Sequence, residues 1–313
     1  MSQKVRVAVI GAGLMGHGIT QAFAQAGHPV TLTDANIDVL YSAPSCIERN
    51  LAEMGLPSKS TMRNISVQAN FAAAVERADF IVEAVSERLE LKQRLFADFI
   101  AMAPAHAILA SNTSVIPISE IASGLSRVDR GRVLGTHWWN PPHLVPLVEV
   151  IRTVDTYDEI FESTYRIIKS IGKLPVKVNV DLPGFIGNRL QHAMWREAFA
   201  LVEAGVCDAR TIDIVVKSSF GRRLSILGPM ENADLVGLEL IRDVHKILFP
   251  HLSQAQSPSI LLERLLSEGE RGVSTGKGLF EWSEESIEEI RLRLANHLIA
   301  CTQNAALQGG ADE

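Results

Sequence analysis

Residues 5–27, VRVAVIGAGLMGHGITQAFAQAG, join a short apolar run to an apolar-periodic stretch through Gly11, Gly13 and Gly16. The spacing is G-x-G-x-x-G, directly after a predicted strand and at the start of a predicted helix. Gly11 can make the tight turn, Gly13 lets the backbone approach a pyrophosphate, and Gly16 lets helix and strand pack closely. Leu14 and Met15 belong to the same turn, where the free N–H groups and dipole of a helix N-terminus favour an anion. Asp34 ends the next predicted strand about 20 residues on, the place from which a carboxylate bonds the adenosine ribose hydroxyls. It would repel a 2′-phosphate, and no arginine follows it closely, so NAD is favoured over NADP. Alone, the glycine pattern is compatible with an ordinary turn; strand, helix and acid together predict a dinucleotide-binding unit.

Outward from this unit, short apolar runs alternate with helical patterns, the rhythm of a parallel sheet covered on both faces. Strands are predicted at 5–10, 30–33, 80–84, 107–110, 133–138, 146–151 and 174–178. After Leu182-Pro183-Gly184 the pattern turns helical, with helices predicted over 186–204, 209–218, 235–248, 260–268 and 284–299. The fold class is therefore α/β. A Rossmann-type doubly wound sheet over 1–182 is followed by an all-helical domain over 183–313, whose polar tail is expected to fray from about residue 303. No internal repeat is apparent.

Composition narrows the function classes. The 313 residues carry a net charge of -6 and no basic block, which argues against nucleic acid or an anionic membrane as the main partner. Cys46, Cys207 and Cys301 are odd in number and widely spaced, without a CxxC or a neighbouring His pattern. Neither a disulfide framework nor a metal site is expected, and a reducing, cytoplasmic compartment fits. The N-terminus lacks the features of a signal peptide, and no apolar run is long enough to span a bilayer.

A second stretch, GTHWWNPPHLVPLVEVI (135–151), places His137, His143 and Glu149 in a sequence otherwise suited to burial. Buried ionisable groups are costly unless paired, so the segment holds either a structural pair or a site. Together with SNTSVIPISEIA (111–122), DLPGFIGNRL (181–190) and GKGLF (276–280), it resembles the 3-hydroxyacyl-CoA dehydrogenase family over nearly the whole chain. The resemblance implies NAD as cofactor, His137 as general base and Glu149 as its orienting partner. It also implies that Ser114 and Asn188 hold the substrate oxygen, with Ser114 beside the nicotinamide. Asn140 is implied at the nicotinamide or holding the turn, and Glu87 and Lys92 at the cofactor ribose or in domain closure. On composition alone the last two read as a solvated helix face. His143 has no counterpart in the family and is expected in a substrate loop or at the surface. A homodimer through the helical domain is implied as well.

Departures from the acyl-CoA pattern bear on substrate. The segment 37–74 is shorter than the family's lysine-rich arm and offers only Arg49, Lys59 and Arg63 to a phosphorylated carrier. FGRRLSILGPMENADLVGLEL (220–240) contains Arg222 and Arg223; an arginine fork binds a carboxylate through two hydrogen bonds, and Arg223 is the preferred candidate. Ser274 stands where the acyl-CoA branch commonly carries a cofactor lysine, which leaves Lys277 as a possible substitute. Of Trp138 and Trp139, one is expected in the core and one on the wall of the substrate pocket, since successive strand residues face opposite ways. These features resemble the free-hydroxy-acid branch, which includes gulonate 3-dehydrogenase, carnitine dehydrogenase and a pyridine-carboxylate dehydrogenase. The expected reaction interconverts a small 3-hydroxy acid and its 3-oxo form. Short-chain 3-hydroxyacyl-CoA oxidation, aldehyde oxidation by the same dyad, and a non-catalytic dinucleotide-binding role are the alternatives.

Overall fold

A computed structural model describes residues 4–309 and the side chains of residues 4–302. Its sheet is built from β1 (Val7–Ile10), β2 (Val30–Thr33), β3 (Ile65–Val67), β4 (Phe80–Glu83), β5 (Ile108–Ser111), β6 (Val133–Trp138), β7 (Leu147–Ile151) and β8 (Leu174–Val178). The spatial order is β3-β2-β1-β4-β5-β6-β7-β8. Pairing is parallel as far as β6; β7 then runs antiparallel to β6, and β8 parallel to β7. Between the strands lie α1 (Leu14–Gln25), α2 (Ile37–Glu53), α3 (Ser58–Met62), α4 (Phe71–Val75), α5 (Leu89–Met102), α6 (Ile118–Ile121), α7 (Arg127–Arg130) and α8 (Asp158–Ser170). Strand order reverses at β1, and open sheets of this kind bind ligands outside the carboxyl ends of the strands at that point.

The strands read as continuous apolar runs because helices cover both faces. Successive residues divide between two cores. Val7, Val9, Phe80, Val82, Trp138, Val148 and Val150 pack with Phe23 of α1 and Phe161 of α8. Ala8, Ile10, Ile81, Leu109, Val133 and Ile151 pack with Phe96 and Phe99 of α5. His137 and Glu149 alternate with the first set and so face the second side. Strand β3 has no counterpart among the predicted strands: three residues at a partly exposed edge, paired only with β2, give too short a pattern to read.

The remaining helices are α9 (Gly187–Glu203), α10 (Ala209–Ser218), α11 (Pro229–Val236), α12 (Leu238–Leu248), α13 (Ile260–Ser267) and α14 (Glu284–Gly309). The helix predicted over 235–248 is interrupted at Gly237, whose φ of 101° is open to glycine and breaks the helical path. Proximity groups the chain into two units, one reaching Asn188 and rejoined by the segment from Ala295, the other Arg189–Leu294. The second unit is helical, with isolated bridges at Gly272, Lys277 and Glu281. Of the tail expected to fray, the backbone to Gly309 belongs to α14, and the rest lies outside the described residues. Among those residues no helix is long and apolar enough to cross a membrane.

Candidate active site

The glycine turn sits at the point where strand order reverses. Gly11 has φ 104°, and a Cβ there would lie 2.5 Å from the Ala84 carbonyl oxygen at the end of β4. A Cβ on Gly16 would lie 1.7 Å from the Gly11 oxygen, so α1 packs against the turn only with glycine there. Over Gly13 nothing lies within 4 Å. Gly13 is also the N-cap of α1, without a side-chain cap and without an acid in the first turn. The amides at the start of α1 are thus left for an outside anion. Asp34 braces the loop: Oδ2 accepts from Ala12 N at 2.7 Å and Oδ1 from Asn36 N at 2.7 Å. Gly13 and Leu14 are exposed and Met15 is half-buried at the mouth. The open space above Gly13, the uncapped amides and the acid at the end of β2 fit a dinucleotide.

The β6–β7 reversal makes His137 and Glu149 direct register partners. His137 Nδ1 lies 2.7 Å from Glu149 Oε2, and both side chains are buried. An ionised carboxylate only accepts, so Nδ1 carries the hydrogen, and in the neutral ring Nε2 presents its lone pair. The other oxygen, Oε1, accepts from Ile186 N at 2.9 Å and Gly187 N at 3.1 Å. Burial alone would raise the Glu149 pKa, but the His137 ring and these two amides outweigh it and hold the carboxyl below its ordinary value. Phe185, with φ 50°, turns the backbone so that both amides face Glu149. A non-glycine residue in this region is unfavourable on its own account and persists where its surroundings over-determine it. Its buried ring lies 5.7 Å from that of His137, and Trp139 flanks the imidazole at 5.2 Å.

The loop after β5 brings the other predicted residues in. Asn188 Nδ2 donates to the Ser114 carbonyl at 2.8 Å, so the 186–188 backbone links Ser114 to the dyad. Glu87 Oε1 accepts from Thr113 Oγ1 at 2.6 Å, Ser114 N at 2.8 Å and Val115 N at 3.1 Å. Burial raises its pKa, yet the Thr113 hydroxyl, Lys92 and the loop amides lower it further, so Glu87 is held ionised. Lys92 is not on a solvated face: it is fully buried, 2.7 Å from Glu83 Oε1 and 3.2 Å from Glu87 Oε2. Asn112 Oδ1 accepts from Trp138 N at 3.0 Å, tying this loop to the residue after His137.

Comparison with known proteins shows the family. A model of the 3-hydroxyacyl-CoA dehydrogenase NAD binding domain matches residues 6–181, and one of the C-terminal domain matches 184–282. The chain belongs to the 3-hydroxyacyl-CoA dehydrogenase family. It is an NAD-dependent dehydrogenase acting on a CH–OH group. The chain is 32% identical over 298 residues to a 5-formyl-3-hydroxy-2-methylpyridine 4-carboxylate 5-dehydrogenase of Mesorhizobium japonicum, covering 94% of this chain and 96% of that protein. It is 34% identical over 289 residues to a probable 3-hydroxybutyryl-CoA dehydrogenase of Bacillus subtilis, covering 90% and 98%. Among solved structures it is similar to a 5-formyl-3-hydroxy-2-methylpyridine 4-carboxylic acid 5-dehydrogenase described as an NAD+-dependent dismutase. There the TM-score is 0.89 at 31% identity, over 96% of this chain and 98% of the other.

Within this family member, the remaining predicted residues are placed as follows. Asn140 opens the loop after β6 and is exposed. Trp138 is in the first core and half-buried Trp139 lies beside His137, the division expected of adjacent strand-end residues. Trp139 lies over Gly187, where a Cβ would come within 2.3 Å of the indole. His143 is half-buried on the α1 side, its Nδ1 3.4 Å from Asn50 Nδ2. Arg222 ends a 3-10 turn in the second unit and Arg223 follows it; both are exposed. Lys277 pairs with Glu270, and Ser274 Oγ lies 3.5 Å from the Arg271 carbonyl. Sequence reasoning missed Glu83, Ser111, Asn112, Thr113 and Phe185. SNTS carried a signal for three of them; nothing around Glu83 distinguishes it from an ordinary strand end.

Proposed function

We propose that this dehydrogenase interconverts a small 3-hydroxy acid, or a closely related hydroxylated carboxylate, and its carbonyl form. The observation that carries the reading is the buried 2.7 Å His137–Glu149 pair with Nε2 left for a substrate. The 11–16 turn and Asp34 would hold NAD, which would supply the hydride acceptor. His137 takes the hydroxyl proton on Nε2 as the alcohol carbon is oxidised, and Glu149 stabilises the resulting imidazolium. In the reverse direction His137 returns that proton to the carbonyl oxygen. Ser114 Oγ and the second N–H of Asn188 hold the reacting oxygen and stabilise the charge that develops on it. Only one of the two Asn188 donors is used on the Ser114 carbonyl.

Several features support a compact free acid over a CoA thioester. Cations are few in the 37–74 segment, Trp139 gives the site an aromatic wall, and the chain is similar to a pyridine-carboxylate dehydrogenase. Arg223 is the proposed clamp for the substrate carboxylate. A second reading rests on that relative's formyl substrate: the chain would oxidise an aldehyde, with His137 taking a proton from attacking water and a carboxylic acid as product. The helical unit would form a homodimer, and three free thiols suit a cytoplasmic setting.

The test is His137→Ala, assayed for NADH formation after confirming by NADH fluorescence that the variant binds cofactor. Loss of a general base lowers kcat by on the order of 10²–10⁴-fold. Near-native turnover would remove His137 from the proposed role.

A further inference from the structure

Glu83 has no place in the chemistry proposed above, yet it is a fully buried carboxylate at the end of β4. Its Oε1 accepts from Val85 N at 2.8 Å and from Lys92 Nζ at 2.7 Å. Its Oε2 accepts from Ser111 Oγ at 2.6 Å. The sheet imposes this meeting, because Glu83 and Ser111 are register partners at the ends of β4 and β5. Lys92, in the first turn of α5, bridges Glu83 to Glu87. A buried ion pair is a poor way merely to fasten a helix to a sheet, since apolar residues of similar size serve as well or better. What apolar residues cannot do is accept hydrogen bonds from the loop beyond β5.

That loop is where both carboxylates end. Glu83 takes the Ser111 hydroxyl, which in turn accepts from Thr113 N at 3.2 Å. Glu87 takes Thr113 Oγ1 and the amides of Ser114 and Val115. Lys92, between them, fixes their separation. We infer that Glu83 is a positioning residue: through Lys92 and Glu87 on one side and Ser111 on the other, it sets the place of Ser114. The inference rests on the proposed role of Ser114 for its effect on turnover, but not for its effect on the loop.

Glu83→Gln keeps the side chain's shape and removes its charge, leaving Lys92 with Glu87 alone. Ser111→Ala removes one oxygen and serves if Glu83→Gln does not fold. The first readout is amide hydrogen exchange in the folded, full-length chain, which needs no substrate. Exchange at Thr113, Ser114 and Val115 should rise by about tenfold as these bonds open more often, with β1 and β6 amides unchanged. Unchanged exchange in the loop, or an equal rise across the sheet, would overturn the inference. The second readout is a cycle with Ser114→Ala at saturating NAD+ and substrate. Glu83→Gln or Ser111→Ala should lower kcat on the order of tenfold when Ser114 is present, and by less than about twofold when it is already alanine. Multiplying effects would contradict action through Ser114. If Ser114→Ala alone left turnover unchanged, the proposed role of Ser114 would fall, and the exchange result would still judge whether Glu83 positions the loop.

Discussion

Two histidines in one short stretch come to opposite uses. His137 faces Glu149, and its ring is oriented by a carboxylate; His143, on the α1 side of the same turn, meets no carboxylate among its hydrogen-bond partners. Burial, the nearby His17 and Lys173 push the His143 pKa down to about 4, from an ordinary 6.5. The sign of its effect on stability follows. Between pH 6.5 and 4 the unfolded chain binds a proton at His143 that the folded chain does not, so acidification through this window favours unfolding; below it the contribution is constant. Glu149 acts in a lower window: its stabilisation is full above the ordinary carboxyl range and is lost as pH falls through its depressed folded value. Urea unfolding at several pH values checks this, with His143→Gln expected to flatten the slope between pH 6.5 and 4. A slope unchanged in the variant would mean that His143 is not the titrating group. His137 and Glu149 were legible because their spacing belongs to a pattern. Phe185 was not, because a positive φ on phenylalanine is imposed by tertiary packing and leaves no trace in composition.

Elements were legible where periodicity and turn chemistry agreed. Strands β2, β6 and β8 and helix α10 have the bounds that the sequence predicts, each a clean apolar pattern between polar or glycine-rich ends. Strand β3 escaped because three residues make no period, and the break between α11 and α12 because one glycine can be tolerated inside a helix as readily as it can end one. Periodicity also left open what the helices of the second unit pack against. On α12, Leu240, Val244 and Ile247 make a single stripe, and they are 56%, 42% and 74% exposed. Ile226, Met230 and Leu235 add further exposed apolar surface nearby in sequence. Exposed apolar surface in contiguous patches marks an interaction site, and the proposed homodimer would cover it. Sedimentation or light scattering should give twice the mass of one chain, and Ile247→Glu should give the mass of one chain. A monomeric wild-type chain would rule the homodimer out.

At the scale of the molecule, the sheet brings the site residues together, from its strands and from the loops at their ends. The reversal at β1 opens the cofactor site, the antiparallel β7 sets Glu149 against His137, and the end of β5 delivers Ser114 to Asn188. Reaction class was readable because the family's motifs recur here at fixed spacing. The substrate was not, because substrate choice depends on the shape of surfaces, and shape is not written in spacing. The measurement that tests the central claim most directly is kcat/KM for NADH formation, comparing free 3-hydroxy acids and pyridine carboxylates with 3-hydroxybutyryl-CoA under one set of conditions. The account predicts that a free carboxylate substrate is preferred by on the order of 10⁴-fold, the discrimination expected when a site's polar groups would otherwise be left unpaired. Faster turnover of the thioester would contradict it and return the chain to the acyl-CoA branch of its family.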